Sequence, residues 1–212
     1  MQSSTISAKS RPGKLKRYTR EHSAKLPEIV RLEVGAFKAN CYVVYDPEGN
    51  CAVIDPGDDA DFIEEKIREL NLVPKLVLLT HGHSDHVTAA PDIALAYSVP
   101  VYLNNKDAFL FRKASRFPGK LTGLKEGELL KAGELRVKVL EIPGHTPGSV
   151  ALKLAGTPHV FCGDIFFADG SLGRCDFGYS DRGLMEESIK KLGKLPKKTI
   201  FHPGHGEEFE NL

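Results

Sequence analysis

The sequence predicts a layered α/β protein, and three observations carry that prediction. Short apolar runs of strand length alternate with segments of helical period. A meander of three strands opens the first half, and a second strand-rich stretch opens the latter half. The chain has 212 residues, 41% of them hydrophobic, which is enough to bury a substantial core and suits one domain.

Residues 28–34, EIVRLEV, alternate apolar and polar side chains as a half-buried strand does. CYVVYD (41–46) and CAVIDPG (51–57) follow as short strands around the turn sequence PEGN. In DDADFIEEKIREL (58–70) the period changes: Phe62, Ile63, Ile67 and Leu70 fall on one helical stripe, with acids in the first turn where the helix dipole favours them. KLVLLT (75–80) is a continuous apolar run, the pattern of a strand covered on both faces. AAPDIALAYS (89–98) reads as a helix, VPVYLN (99–104) as a strand, DAFLFRKA (107–114) as a short helix and FPGKLTGLKEGE (117–128) as loop. LRVKVLEI (135–142), SVALKLA (149–155) and HVFCG (159–163) form the second β-rich run. The helix DRGLMEESIKKLGKL (181–195) and a last strand, KTIFH (198–202), close the chain.

Charge and composition narrow the function classes. Residues 1–27 hold seven Lys/Arg and one acid; subtracting that +6 from the net +1 leaves −5 for residues 28–212. A mildly acidic body argues against nucleic-acid binding. The basic head has no apolar periodicity and reads as a flexible tail, with organelle import as the minority reading and no apolar core for a secretory signal. No apolar run is long enough to span a membrane. Cys41, Cys51, Cys162 and Cys175 lack paired spacing, which points to a reducing compartment, the cytoplasm. No glycine-rich phosphate loop follows any strand.

The histidines carry the chemistry. His22 lies in the head and His159 at a strand start; both read as solvated or structural, and His202 as a core or supporting residue. The other five fall in three clusters, each behind a strand: THGHSDH (His81, His83, His86, with Asp85), PGHTPGS (His145) and HPGHGEE (His205). Asp164 follows another strand in CGDIFF. Strand ends hold ligands rigidly while tight turns aim them. His81 and His83, two apart, project to one side and reach one ion, whereas Asp85 and His86, a turn further on, reach a second beside it. His145 and His205 fill the two spheres from elsewhere, and Asp164 has two oxygens with which to bridge. Imidazole plus carboxylate without thiolate suits zinc, iron or manganese.

With these residues in view, the chain resembles the metallo-β-lactamase superfamily, and within it the glyoxalase II (hydroxyacylglutathione hydrolase)-like branch. NCYVV (40–44), AVIDPG (52–57), THGHSDH (80–86), PGHTPGS (143–149), GDIFFADGSLGRCDF (163–177) and PGHG (203–206) carry the resemblance. It implies a four-layer αββα sandwich over residues 28–212 with two divalent ions, zinc before iron or manganese, at the edge between its sheets. By position, His81, His83 and His145 would hold one ion, Asp85, His86 and His205 the other, and Asp164 would bridge them along with a hydroxide, the nucleophile. Asp85 would also orient that hydroxide.

Such a site suits esters, thioesters and lactones. A thioester is favoured, because a thiol with pKa of about 8.5 leaves as thiolate without a strong general acid. The expected partner is therefore a small acyl thioester of the hydroxyacylglutathione type, with no nucleic acid and no membrane. Arg174 stands where glyoxalase II has a basic residue for a glutathione carboxylate, and Tyr179 close by is a further candidate substrate contact. Asp55 reads mainly as a turn residue that can support a ligand histidine. Three departures bear on specificity: seven residues follow His205, so the helical glutathione-gripping domain is expected to be missing; HVTAA replaces a usual Gly-Gly pair; and Cys175 replaces the threonine of GRTDF. The rival readings are a mononuclear iron persulfide dioxygenase using His81, His145 and Asp164, and a lactonase or phosphodiesterase of the same superfamily. A non-catalytic relative would lack a ligand position, and none is missing.

Overall fold

Two six-stranded mixed sheets stack face to face, each backed by helices on its outer side. The computed structural model describes residues 26–211. The tail reading of residues 1–27, and His22 with it, lies outside the described residues except for Leu26 and Pro27.

The first sheet begins with β1 (Glu28–Val34), β2 (Ala39–Tyr45) and β3 (Asn50–Ile54), an antiparallel meander as expected. Helix α1 (Ala60–Glu69) then carries the chain over the sheet to β4 (Val73–Leu78), parallel to β3. The crossover helix is what parallel neighbours require. A four-residue turn of helix, α2 (Ser84–Val87), and α3 (Ala90–Tyr97) lead to β5 (Val101–Leu103). After a 3-10 turn (Asn105–Asp107), α4 (Ala108–Ala114) leads to β6 (Leu121–Gly123), which closes this sheet in parallel with β5.

The second sheet runs β7 (Leu129–Ala132), β8 (Leu135–Glu141), β9 (Val150–Leu154) and β10 (His159–Gly163) antiparallel; α5 (Arg182–Gly193) crosses to β11 (Ile200–Pro203), parallel to β10, and β12 (Phe209–Glu210) pairs at the edge. The strand orders, β1 to β6 and β12 to β7, make the two halves mirror one another in element order.

Period-two alternation explains how the layers fill. Along β4, Val77 and the following Leu79 point into the core under α1, α3 and α4, with Ile63, Ile67, Ile93 and Phe111. Leu76 and Leu78 point the other way, against Val139, Leu152 and Phe161 of the second sheet. A third core packs Met185 and Leu192 of α5 on Val160, Cys162 and Phe201. Burying each such aliphatic side chain stabilises by about 1.5–3 kcal/mol. Among the described residues, no helix is long and apolar enough to cross a membrane.

Four details depart from the sequence reading. The segment expected as loop contains β6, and the short strand β7 follows it; strands of three and four residues are too brief to display a period. KTIFH is not the last strand, because β12 follows, held by two register pairs to β11. On α1 the buried contact narrows to Ile63 and Ile67, while Phe62 and Leu70 are 42% and 38% exposed. The helix rests on the sheet through that one i, i+4 pair, so residues to either side of it face solvent.

Candidate metal centre

The site is built where strands of both sheets run out. β4 delivers Thr80 and His81; the chain turns at Gly82 so that His83 precedes α2, which carries Asp85 and His86. His145 lies between β8 and β9, Asp164 follows β10, and His205 follows β11. The sheets are stitched together beside it: the Asn40 side-chain amide donates to the carbonyls of Pro203 (3.0 Å) and Gly206 (2.8 Å).

The structure brings all seven sequence-predicted ligand residues together. His81, His83 and His145 place three ring nitrogens within 4.8 Å of one another, and so do the ligand atoms of Asp85, His86 and His205. His81 Nε2 lies 3.1 Å from His83 Nδ1, which lies 3.0 Å from His145 Nε2. Two nitrogens bound tetrahedrally to one zinc would stand about 3.3 Å apart. Asp164 lies between the clusters: its Oδ1 is 3.6 Å from His86 Nε2, and its Oδ2 is 3.8 Å from His145 Nε2 and 3.6 Å from His205 Nε2. Asp85 Oδ2 is 3.3 Å from His205 and 3.6 Å from His86.

Two atoms test whether these residues suit a cation. His86 Nε2 and Asp164 Oδ1 are buried without a hydrogen-bond partner. Such orphans cost about 1–3 kcal/mol each unless something satisfies them, and both point into the space between the clusters. The donor set fits. Gly204 permits this closeness, since a Cβ there would collide with Asp164 Oδ1 and come within 2.7 Å of His86 Cε1.

Four of the five rings are fixed from the far side. His145 Nδ1 donates to the Arg174 carbonyl at 2.7 Å, leaving Nε2 as a lone pair. His86 Nδ1 faces Asp55 Oδ2 at 3.2 Å. Thr80 donates its hydroxyl to the same Asp55 oxygen at 2.6 Å, so its oxygen accepts from His81 Nδ1 at 3.1 Å. His83 turns its Nε2 to the Tyr179 hydroxyl at 2.8 Å, which aims Nδ1 inward. Such outer contacts set the tautomer and ring orientation of a ligating imidazole. Asp55, read mainly as a turn residue, therefore serves both clusters.

Asp107 was missed. Fully buried, it accepts from the Gly82 amide (2.9 Å) and the Thr146 hydroxyl (2.6 Å) with Oδ2, and from the Gly148 amide (2.7 Å) with Oδ1. One carboxylate thus ties the loop of His81 and His83 to the loop of His145. In the sequence it looks like an ordinary acid at a helix start, and only its place behind a strand, like Asp55, hints otherwise.

Electrostatics separates the clusters. Burial, then the neighbouring His86, holds His81 well below its ordinary value, and burial with His145 pushes His83 down to about 4. These rings are neutral and ready to donate. Burial opposes charge on His86, but Asp164, Asp55 and Asp85 outweigh it and raise it to about 9. His205 is raised by its hydrogen bond to Asp85; burial raises Asp85, but that bond and the charge of His86 hold it lower.

The remaining candidates sit at the rim. Arg174 bonds Asp176 through Nε and a terminal nitrogen (3.0 and 2.9 Å) and lies 4.4 Å over the Phe177 ring. Phe177 stacks on Tyr179, with centroids 5.3 Å apart. His159 and His202 pair with each other at 2.9 Å, away from the clusters. Cys41, Cys51 and Cys162 are buried, Cys175 is half-buried, and all four are free.

A family profile described as Metallo-beta-lactamase superfamily matches residues 34–205. The Haemophilus influenzae protein named Hydroxyacylglutathione hydrolase GloC is 38% identical over 190 residues, covering 82% of this chain and 89% of its own. Among solved structures, TTHA1623 in a di-iron-bound form superposes with a TM-score of 0.79 at 34% identity, over 86% of this chain and 94% of its own. ETHE1 from Myxococcus xanthus superposes with a TM-score of 0.75 over 87% of this chain and 80% of its own; at 24% identity this is a likeness of fold.

Proposed function

Because the chain belongs to the metallo-beta-lactamase superfamily and its two converging clusters make a metallohydrolase site, we propose that it is a dinuclear hydrolase cleaving a thioester of the hydroxyacylglutathione type. The observation that carries this reading is the pair of orphaned, buried atoms, His86 Nε2 and Asp164 Oδ1, between two clusters of ligand type. The relative GloC, similar over most of both chains, supports the substrate class.

In this reading His81, His83 and His145 would hold one cation and Asp85, His86 and His205 the second, with the Asp164 carboxylate available to both. Zinc suits the imidazole and carboxylate set, and so does iron. When bound, two dications would lower the pKa of a water between them toward about 7 and supply positive charge for the substrate carbonyl. Asp85, with Oδ2 turned to His205 and His86, orients the attacking water through its other oxygen. Asp55, through His86 and through Thr80 to His81, keeps two ligand rings in place. The leaving thiol, with pKa of about 8.5, departs as thiolate, so no separate general acid is needed. Tyr179 and Arg174 at the rim are the proposed substrate contacts. The four free cysteines agree with a reducing compartment such as the cytoplasm.

A mononuclear iron dioxygenase would need only His81, His145 and Asp164 of these residues. The complete Asp85, His86 and His205 cluster favours the hydrolase.

The test is thiol release from S-lactoylglutathione by zinc-loaded protein, beside Asp164→Asn. Turnover in the parent and its loss in the variant are expected, since a carboxamide cannot give anionic oxygens to two cations. Full activity in the variant would remove the bridging assignment. One iron per chain, with oxygen consumed alongside a persulfide, would move the function to the dioxygenase.

A further inference from the structure

Three cations gather at α4 and the segment behind it: Arg112 on the helix, and Arg116 and Lys120 between the helix and β6. Several surface cations are ion-paired, among them Lys106 with Glu141 (3.7 Å), Arg174 with Asp176 (2.9 Å) and Lys191 with Glu126 (2.9 Å). Arg112, Arg116 and Lys120 have no carboxylate within ion-pair distance among the described residues, although residues 28–212 as a whole carry −5. The three line one cavity of about 520 Å³ between α4 and β6, floored by Phe111 and Phe117. Cations gathered at an apolar-floored concavity focus field and raise the local concentration of anions. Two of them are arginines, whose planar fork bonds carboxylate or phosphate in two places.

A row of aromatic rings runs from the first cluster to α4, the helix that walls this cavity. The ring centroids of His83 and Tyr179 are 6.0 Å apart, those of Tyr179 and Phe109 5.6 Å, and Lys113 Nζ stands 5.6 Å above the Phe109 ring. Arg112 lies one turn beyond Phe109 on α4 and lines the cavity. An acyl group at the metal cluster would leave its thiol arm to run over Tyr179 and Phe109 toward these cations. Arg174, by contrast, already has its charge matched by Asp176.

We propose that the cavity between α4 and β6 is the subsite for the anionic end of the substrate's thiol, held by Arg112, Arg116 and Lys120; this rests on the thioester reading above. The anion is carboxylate if the thiol is peptide-like, as glutathione is, and phosphate if it bears a nucleotide, as coenzyme A does.

Two measurements test it. S-methylglutathione and adenosine 3′,5′-bisphosphate, neither of which can be hydrolysed as a thioester, are titrated into zinc-loaded parent protein and into the triple variant Arg112→Ala, Arg116→Ala, Lys120→Ala. All three side chains are exposed, so the substitutions spare the core. One probe binds the parent and binds the variant at least tenfold more weakly, and which one it is identifies carboxylate or phosphate. In parallel, the kcat/KM preference for lactoylglutathione, or for lactoyl-coenzyme A, over lactoyl-N-acetylcysteamine falls at least tenfold in the variant. Binding of neither probe, or binding and preference equal in variant and parent, overturns the subsite. The two readings fail separately. Protein that binds a probe through the three cations yet hydrolyses no thioester keeps the subsite and loses the activity. Protein that turns over thioesters equally with and without the cations keeps the activity and loses the subsite.

Discussion

The Tyr179 hydroxyl lies 2.8 Å from Nε2 of His83, and this contact decides which nitrogen of that ring faces the metal cluster. Tyr179→Phe removes it while keeping the ring that packs on Phe109 and Phe177. Supporting contacts of this kind are worth about 10- to 100-fold in metal affinity. Zinc affinity measured by chelator competition is expected to fall about tenfold, with the fold intact; unchanged affinity would show that His83 is held by other means.

Asp107 should matter to stability even without metal. Asp107→Ala strands the buried amides of Gly82 and Gly148 and leaves the Thr146 hydroxyl only its bond to Ser149. The expected loss is on the order of 3 kcal/mol, read by urea unfolding of the metal-free protein. A loss near zero would mean that the two ligand loops hold each other without the carboxylate.

Metal uptake should separate the two clusters by pH. With His86 raised to about 9, a cation entering beside it below that pH must displace a proton. Affinity at Asp85, His86 and His205 therefore drops by about tenfold per unit as pH falls below 9. His83, at about 4, imposes no such competition at neutral pH on the other cluster. In the metal-free protein the raised His86 stabilises the fold fully below its ordinary 6.5, and that contribution is lost as pH rises through about 9. Calorimetric titrations at pH 6, 7 and 8 would show one site weakening more steeply than the other; parallel curves would refute the assignment.

Ile67→Ala provides the contrast. Ile67 is buried in the core under α1, remote from the clusters, and its truncation should cost about 2–5 kcal/mol. Metal stoichiometry should stay as in the parent. Loss of a metal site in this variant would mean that the centre depends on packing under α1 as well as on its own loops.

The parts of this architecture visible in the sequence are those with a period or a motif. KLVLLT reads as a twice-covered strand because its alternate side chains feed two cores. The seven ligand residues stand out because imidazoles crowd strand ends. What stayed hidden was set by tertiary contact. Asp107 acts through amides 25 and 41 residues away, a relation no local pattern encodes. β6, β7 and β12 are strands because an edge was there to pair with, and the cations of α4 and the segment behind it line a cavity only once Phe111, Phe117 and β6 close around it.

The stitching of Asn40 to Pro203 and Gly206 also bears on how the molecule is made. Contacts separated by more than 160 residues hold the seam at which the centre lies, and such long loops close slowly. The three imidazoles of the first cluster are in the chain by His145 and the contacts that aim them by Tyr179, whereas the second cluster waits for His205. During synthesis on the ribosome a cation could therefore first be captured by three imidazoles, with the second place completed only when the last parallel strand has docked. Metal occupancy would then serve as a clock for the order in which the two halves join.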